Sequence, residues 1–259
     1  MKILFTSVGR RCELIEAFRN ADKDHELIIY GGDMSNDAPA LYFCDKRVKL
    51  PRIDSKDYIK ELLKICKKEG INMLIPTIDT DLLILSQNKD KFSSIGTIVL
   101  ISNEDKIKIC RDKRETYKFF KSSGLSAPIP IDNYLDYNLG FPAFIKPIDG
   151  SSSINAFKVE NMEELKDKVN IQSNYIIQPF IDGKEYTIDL FCDLESNPIF
   201  ITPRVRIRTR SGEVLITEID MDETIIKETK KIIKNFEKNQ LKEWAESHKG
   251  IAHFYNKNN

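Results

Sequence analysis

The sequence predicts an α/β protein in two parts, a parallel-sheet domain over residues 1–103 followed by an α+β region over residues 104–259. Two observations carry this prediction. Up to Leu100, short apolar strands alternate with amphipathic helices, the pattern of a parallel sheet with right-handed crossovers. Beyond Phe144, strands follow one another through tight turns such as Asp182-Gly183, the pattern of antiparallel pairing. With 259 residues and 41% hydrophobic content, the chain has apolar material for two compact units.

The elements read in order as follows. Ile3-Leu4-Phe5-Thr6 is a buried strand, and Cys12 to Arg19 places Leu14, Ile15 and Phe18 at helical spacing. Leu27 to Tyr30 is a strand that Gly31-Gly32-Asp33 is expected to stop. Tyr58 to Lys68 carries Ile59, Leu62, Leu63, Ile65 and Cys66 on one helical stripe, and Gly70 ends it. Met73 to Pro76 is a strand, Leu82 to Asn88 a helix, and Thr97 to Leu100 a strand. Glu104 to Ser123 reads as one helical region with a break near Cys110, closed by Gly124 and Pro128. Phe144 to Pro147, Ile154 to Val159, Tyr175 to Gln178, Tyr186 to Cys192 and Phe200 to Arg208 read as strands. Met162 to Val169 and Thr224 to Phe236 read as helices.

Charge and cysteine usage exclude several function classes. Lys+Arg and Asp+Glu each total 40, so no basic excess points to nucleic acid and no polybasic segment to a membrane surface. Met1 to Thr6 enters a strand directly, so no signal peptide is expected. No window approaches ~18 apolar residues, so no membrane span is expected. The five cysteines stand far apart, odd in number and without a CxxC pair, as expected of reduced thiols in the cytoplasm. The three histidines form no ligand spacing with them, so no metal site is expected on these residues.

Three stretches bear on chemistry. In Phe141 to Val159, Lys146 ends an apolar strand and Gly150-Ser151-Ser152-Ser153 follows four residues later. Small residues let backbone N–H groups approach phosphate oxygens, hydroxyls add donors, and the lysine supplies a point charge. A plain hairpin with a solvent-facing lysine reads equally well from spacing alone. In Tyr175 to Asp189, Pro179 interrupts the ladder and frees neighbouring backbone groups for a purine ring, and Glu185 can accept from ribose hydroxyls; an ordinary edge proline reads as well. Lys113 opens a helix, where a cation opposes the helix dipole; taken alone, an exposed surface lysine is the better reading. After the first strand, Ser7-Val8-Gly9-Arg10-Arg11 holds a single glycine and lacks the GxGxxG of a dinucleotide loop.

In this order the pieces resemble the ATP-grasp superfamily, most closely its carbamoyl-phosphate-synthase-like branch, over Met1 to about Phe236. The resemblance implies that residues 1–103 form a pre-ATP-grasp domain, with Gly9, Arg10 and Asp79 towards the substrate cleft. Residues 104–180 and 181–259 would form the two ATP-grasp subdomains. Lys113 and Lys146 would then contact ATP phosphates under the loop Gly150, Ser151, Ser152 and Ser153. Gln178, Pro179, Phe180 and Ile181 would line the adenine, and Glu185 would bind ribose. Pro203-Arg204-Val205-Arg206, with Arg208 and Ser211-Gly212, is similar to the branch's basic strand. It makes Arg206 and Arg208 the candidate catalytic residues facing the transferred phosphate.

The implied reaction activates a small-molecule carboxylate as an acyl phosphate that an amine attacks, with ATP and Mg2+ as cofactors, no nucleic acid or membrane partner, and a homodimer left open. The family's late metal motif, Glu-x-Asn-x-Arg, is not found, and Glu218-Ile219-Asp220 falls before the helix at Thr224. The chain ends at His253 to Asn259, where the hairpin leading to that motif would begin, so a truncated or split polypeptide is the expectation. An alternative class follows: a catalytically inactive nucleotide-binding or interaction protein that keeps the fold.

Overall fold

The computed structural model describes residues 1–150, 153–171, 173–192, 197–210 and 213–238. The chain divides into two compact units, Met1–Ile107 and Lys108–Asn259.

The first unit is a five-stranded, all-parallel sheet in the order β3-β2-β1-β4-β5. Its strands are β1 (Lys2–Thr6), β2 (Ile28–Asp33), β3 (Lys46–Lys49), β4 (Met73–Pro76) and β5 (Ile98–Val99). The helices are α1 (Cys12–Ala21), α2 (Tyr58–Glu69), α3 (Asp79–Ser86) and α4 (Lys89–Ser93), with a 3-10 turn at Pro39–Phe43. Alternation sorts the strand residues into two cores. Leu4, Tyr30, Leu74 and Val99 pack with Leu62 and Cys66 of α2 on one face. Ile3, Phe5, Ile29 and Ile75 pack with Ile15 of α1 on the other. A parallel sheet buried on both faces accounts for the near-continuous apolar runs in these strands. Gly70 closes α2 in the left-handed region at φ 64°, as its position predicts.

Gly31 and Gly32 do not stop β2. The strand runs on through them to Asp33, paired with Phe5 and Thr6 of β1. Their lack of a side chain serves packing instead. A Cβ on Gly31 would stand 2.6 Å from Cys44 Sγ, and one on Gly32 would stand 2.7 Å from Leu50 Cδ1.

The second unit begins with α5 (Glu104–Arg111, which starts in the first unit) and α6 (Lys113–Ser122). The predicted long helix breaks at Asp112, whose carboxylate caps α6 by accepting from the Arg114 amide at 2.8 Å. A three-stranded antiparallel sheet in the order β7-β6-β8 follows, from β6 (Ala143–Pro147), β7 (Phe157–Val159) and β8 (Tyr175–Pro179). It packs Ala143, Ile145, Val159 and Ile177 against Leu165 of α7 (Met162–Val169). A second antiparallel sheet, β11-β10-β9, comprises β9 (Tyr186–Cys192), β10 (Pro198–Arg210) and β11 (Glu213–Ile219). Its apolar face, Ile188, Leu190 and Ile201, packs on Ile225, Ile226 and Ile233 of α8 (Glu223–Lys238).

The strands β3 and β11 were not separately legible in the sequence, because Lys46-Arg47-Val48-Lys49 and Glu213 to Ile219 lack a strong apolar alternation. All five cysteines are free thiols. No helix among the described residues is long and apolar enough to cross a membrane.

Replacing Gly31 by alanine overpacks the contact with Cys44. The expected outcome is a loss of about 1–3 kcal/mol of stability by chemical denaturation. A Gly31→Ala chain as stable as the parent would contradict the placement of β2 against the Pro39–Phe43 turn.

Candidate functional site

The β6–β8 sheet buries one face and turns the other to chemistry. Ala143, Ile145 and Ile177 point into the core, so alternation puts Phe144, Lys146 and Gln178 on the opposite face. Lys146 is 8% exposed, and its ammonium stands 5.7 Å from the Phe144 ring centre. The Phe144 and Phe180 rings are 6.3 Å apart, and Lys158 Nζ lies 4.8 Å from the Phe180 ring centre. Two aromatic rings between two ammonium groups form a surface that accepts both a flat ring and anionic oxygens.

The backbone of β8 dictates which edge groups are open. Ile177 donates to and accepts from Ile131 at 2.7 and 2.9 Å, on the side away from β6. Alternation then turns Gln178 toward its β6 partner Phe144. Phe180 follows the same direction, its amide donating to Pro142 O at 3.0 Å. The Pro179 carbonyl and the Ile181 amide therefore face the outer edge, one acceptor beside one donor. Among the described residues neither has a hydrogen-bond partner. The segment bonded to this edge at Ile131 also accepts from Gln178 Nε2, through Pro128 O at 2.7 Å. The Gln178 side chain is thus committed to fixing that segment. An acceptor–donor pair of this kind matches the amino and ring nitrogens along one edge of adenine.

Lys113 and the glycine-serine loop meet on one carbonyl. The Lys113 amide and ammonium both donate to Ile148 O, at 3.1 and 3.2 Å, and the ammonium reaches Gly150 O at 3.5 Å. Gly150 takes φ 106° and Ser153 φ 55°, so the loop is entered and left through left-handed backbone. Ser151 and Ser152 lie outside the described residues, as do Ser211 and Gly212. Hydrogen bonds from Arg114 hold the Asp112 carboxyl below its usual range, which keeps the cap of α6 ionised.

The second sheet presents a polar face opposite its apolar one. Arg204 NH2 donates to Asp189 Oδ1 at 2.9 Å. Arg206 Nε lies 3.1 Å from Glu185 Oε1, its NH1 3.2 Å from Thr187 Oγ1, and its amide donates to Glu185 O at 2.8 Å. The Arg206 side chain is 2% exposed and that of Glu185 40%, so the guanidinium is buried beneath a carboxylate that solvent reaches. Arg208 is exposed and sits past a bulge at Ile207. There Arg206 pairs with Thr217 and Arg208 with Ile216, residues that alternate across β11, so the two arginines do not form one cluster.

One cluster in the first unit escapes the sequence reading. Asp81 is fully buried and accepts from Thr6 Oγ1 at 2.8 Å, Tyr58 Oη at 2.9 Å and Ser7 Oγ at 3.2 Å. Burial raises its pKa, and the three hydroxyl donors oppose the rise. The only signal is a second acid, Asp81, two residues after Asp79 behind an apolar strand, and its partners come from 23 to 75 residues away. Among the described residues no three His, Cys, Asp or Glu side chains converge on a metal position. The acceptor–donor edge and the lysines fit a nucleoside triphosphate.

Two family models match the chain. Residues 3–100 match the family model described as PylC-like, N-terminal domain, and residues 110–242 match that described as ATP-grasp domain. The chain is 28% identical over 161 residues to D-alanine–D-alanine ligase B of Clostridium perfringens, covering 54% of this chain and 52% of the relative. It is 33% identical over 86 residues to the D-alanine–D-alanine ligase of Francisella tularensis subsp. holarctica, covering 30% and 29%. The fold superposes on L-amino acid ligase from Bacillus licheniformis with a TM-score of 0.68 at 16% identity, covering 90% of this chain and 59% of that one. It superposes on N5-carboxyaminoimidazole synthetase from Staphylococcus aureus complexed with ADP with a TM-score of 0.67 at 15% identity, covering 90% and 62%. At such identities the structures establish the shared fold. The chain spans about half the length of the first curated relative.

Substituting Gln178 by leucine removes the donor to Pro128 O. We expect a loss of about 1–2 kcal/mol and faster amide exchange at Ile131 and Ile177, measured by NMR. Unchanged exchange at both amides would contradict the role of Gln178 in covering the β8 edge.

Proposed function

Because the chain belongs to the ATP-grasp family, we propose that it binds ATP in its second unit and serves as the nucleotide-holding part of a carboxylate–amine ligase. The observation that carries this reading is the open acceptor–donor edge at Pro179 and Ile181, beside the buried ammonium of Lys146. Adenine hydrogen-bonds to that edge and rests against Phe144 and Phe180. Glu185, beyond the Asp182-Gly183 turn, takes the ribose hydroxyls. Lys146 and Lys113 compensate phosphate charge, and Gly150 and Ser153 shape the loop above it. The carboxylate oxygen of a small substrate attacks the γ-phosphorus and ADP leaves. An amine then attacks the acyl carbon and phosphate leaves.

Arg206 stabilises the developing charge once Glu185 turns to ribose. The order of motifs through Pro203–Arg208 supports the carbamoyl-phosphate-synthase-like branch, the substrate classes support a cytoplasmic setting, and association as a homodimer fits relatives of this fold. When bound, magnesium would supply Lewis-acid chemistry to the transferred phosphate.

One observation favours a second reading. Without a convergent set of metal ligands among the described residues, this chain binds nucleotide but does not turn it over alone.

Isothermal titration with ATP tests the binding. Lys146→Ala is expected to weaken affinity about 10- to 100-fold, the worth of one charge-assisted bond, with an unchanged melting profile. Unchanged affinity would remove Lys146 from the site. ADP release with magnesium and a panel of carboxylates and amines separates the two readings. Turnover supports the ligase, and binding without turnover supports the binding protein.

A further inference from the structure

The first unit holds a cleft of about 260 Å³ at the carboxyl ends of β1, β2 and β4. Ser7, Gly9 and Arg11 come from the loop after β1, Asp33 from the end of β2, and Ile78 from the segment after β4. In an open parallel sheet this is where ligands enter, outside the strand ends and at the point where strand order reverses. The cleft is smaller than the ~300–1,000 Å³ of drug-sized pockets, which sizes it for a small metabolite and excludes a dinucleotide.

Its lining is divided by chemistry. Leu50, Pro51, Ile53 and the ring of Tyr58 form an apolar wall, with Met34 exposed at one side. The opposite wall carries one cation and one anion. Arg11 is half-buried; its NH1 donates to Ser7 O at 3.5 Å, and its charge helps hold down the pKa of the buried Asp81, although among the described residues it makes no ion pair. A guanidinium that makes no ion pair gains by receiving a carboxylate, and its planar fork suits one.

Asp33 is 9% exposed, accepts from the Gly9 amide at 2.9 Å and the Ser35 amide at 2.8 Å, and keeps further lone pairs. Both charges flank Gly9. Asp33 holds its amide, and a Cβ on Gly9 would stand 3.3 Å from Arg11 NH1. They nonetheless stand beyond ion-pair distance of each other.

The floor is rigid. Ser7, a non-glycine residue at φ 56°, is held by Asp81 through its hydroxyl and by Thr77 Oγ1 through its carbonyl at 2.7 Å. Backbone held in this sparsely populated region marks a place where surrounding structure enforces geometry.

We propose that this cleft binds a small α-amino acid with an apolar side chain. Its carboxylate lies on Arg11, its ammonium on Asp33, and its side chain against Leu50, Pro51 and Ile53. The two charges of the ligand occupy the gap between two protein charges that do not pair with each other. Binding here stands independently of the nucleotide site. That the bound amino acid is a substrate of the ligation rests on the function proposed above.

The test is calorimetric titration of the full chain, without ATP, using L-leucine, D-leucine, L-methionine, glycine, 4-methylpentanoate and 3-methylbutylamine. Saturable binding of at least one of the three apolar amino acids is expected, with glycine, the acid and the amine each at least tenfold weaker. Arg11→Gln should abolish or weaken that binding at least tenfold while ATP affinity persists. Ile53→Trp, which fills the cleft without touching the charged loop, should block it in a chain of normal melting temperature. Absence of binding by all three amino acids, equal binding of the bare acid, or undiminished binding in folded Arg11→Gln or Ile53→Trp would each overturn the proposal. Loss of ATP binding in wild type with amino-acid binding intact would instead strike only the nucleotide reading.

Discussion

The alternation of hydrogen bonds along β8 and its continuation is the constraint on which the candidate site depends. Ile177 spends its amide and carbonyl on Ile131, Gln178 faces its β6 partner, and Phe180 donates to Pro142. The Pro179 carbonyl and the Ile181 amide are then turned to the outer edge. A buried strand edge normally finds partners for such groups, because an unpaired amide or carbonyl is costly away from water. Here the pair is left at the edge beside two aromatic rings and the ammonium of Lys146. The sheet's other face is closed by Ile145, Val159 and Leu165, so the edge and the cationic face are held rigidly by ordinary core packing.

The second sheet obeys the same division of labour. Ile188, Leu190 and Ile201 close on α8, which leaves Glu185, Thr187, Asp189, Arg204 and Arg206 together on the polar side. The buried Arg206 guanidinium is stabilised by Glu185 and Thr187, and removing either partner would leave charge poorly compensated. Glu185 is therefore both the counter-ion of Arg206 and the carboxylate proposed for ribose. A ligand that engages Glu185 alters the environment of Arg206 through one carboxylate.

Local patterns were legible in the sequence and tertiary ones were not. That Lys146 ends an apolar strand and that Pro179 breaks the ladder were legible; that Phe144 and Lys146 share the face opposite Ala143 and Ile145 came from the pairing and packing. The helices α2, α7 and α8 followed from 3.6-residue spacing, with their ends displaced by two residues at most. Gly31-Gly32 was misleading because glycine signals both a stop and a close approach; only the neighbours Cys44 and Leu50 decide between them. The bulge at Ile207 that parts Arg208 from Arg206 leaves no signature in an alternating arginine run. The cluster of Asp81 with Thr6, Ser7 and Tyr58 joins segments that no local window contains. The same holds for the cleft between Arg11 and Asp33.

The most direct measurement is the hydrogen-exchange rate of the Ile181 amide, resolved by NMR, with and without saturating ATP. The Phe180 amide, already bonded to Pro142, serves as the internal reference. The account predicts that ATP slows exchange at Ile181 and leaves Phe180 nearly unchanged. ATP that binds the chain while Ile181 exchanges at its free rate would contradict it.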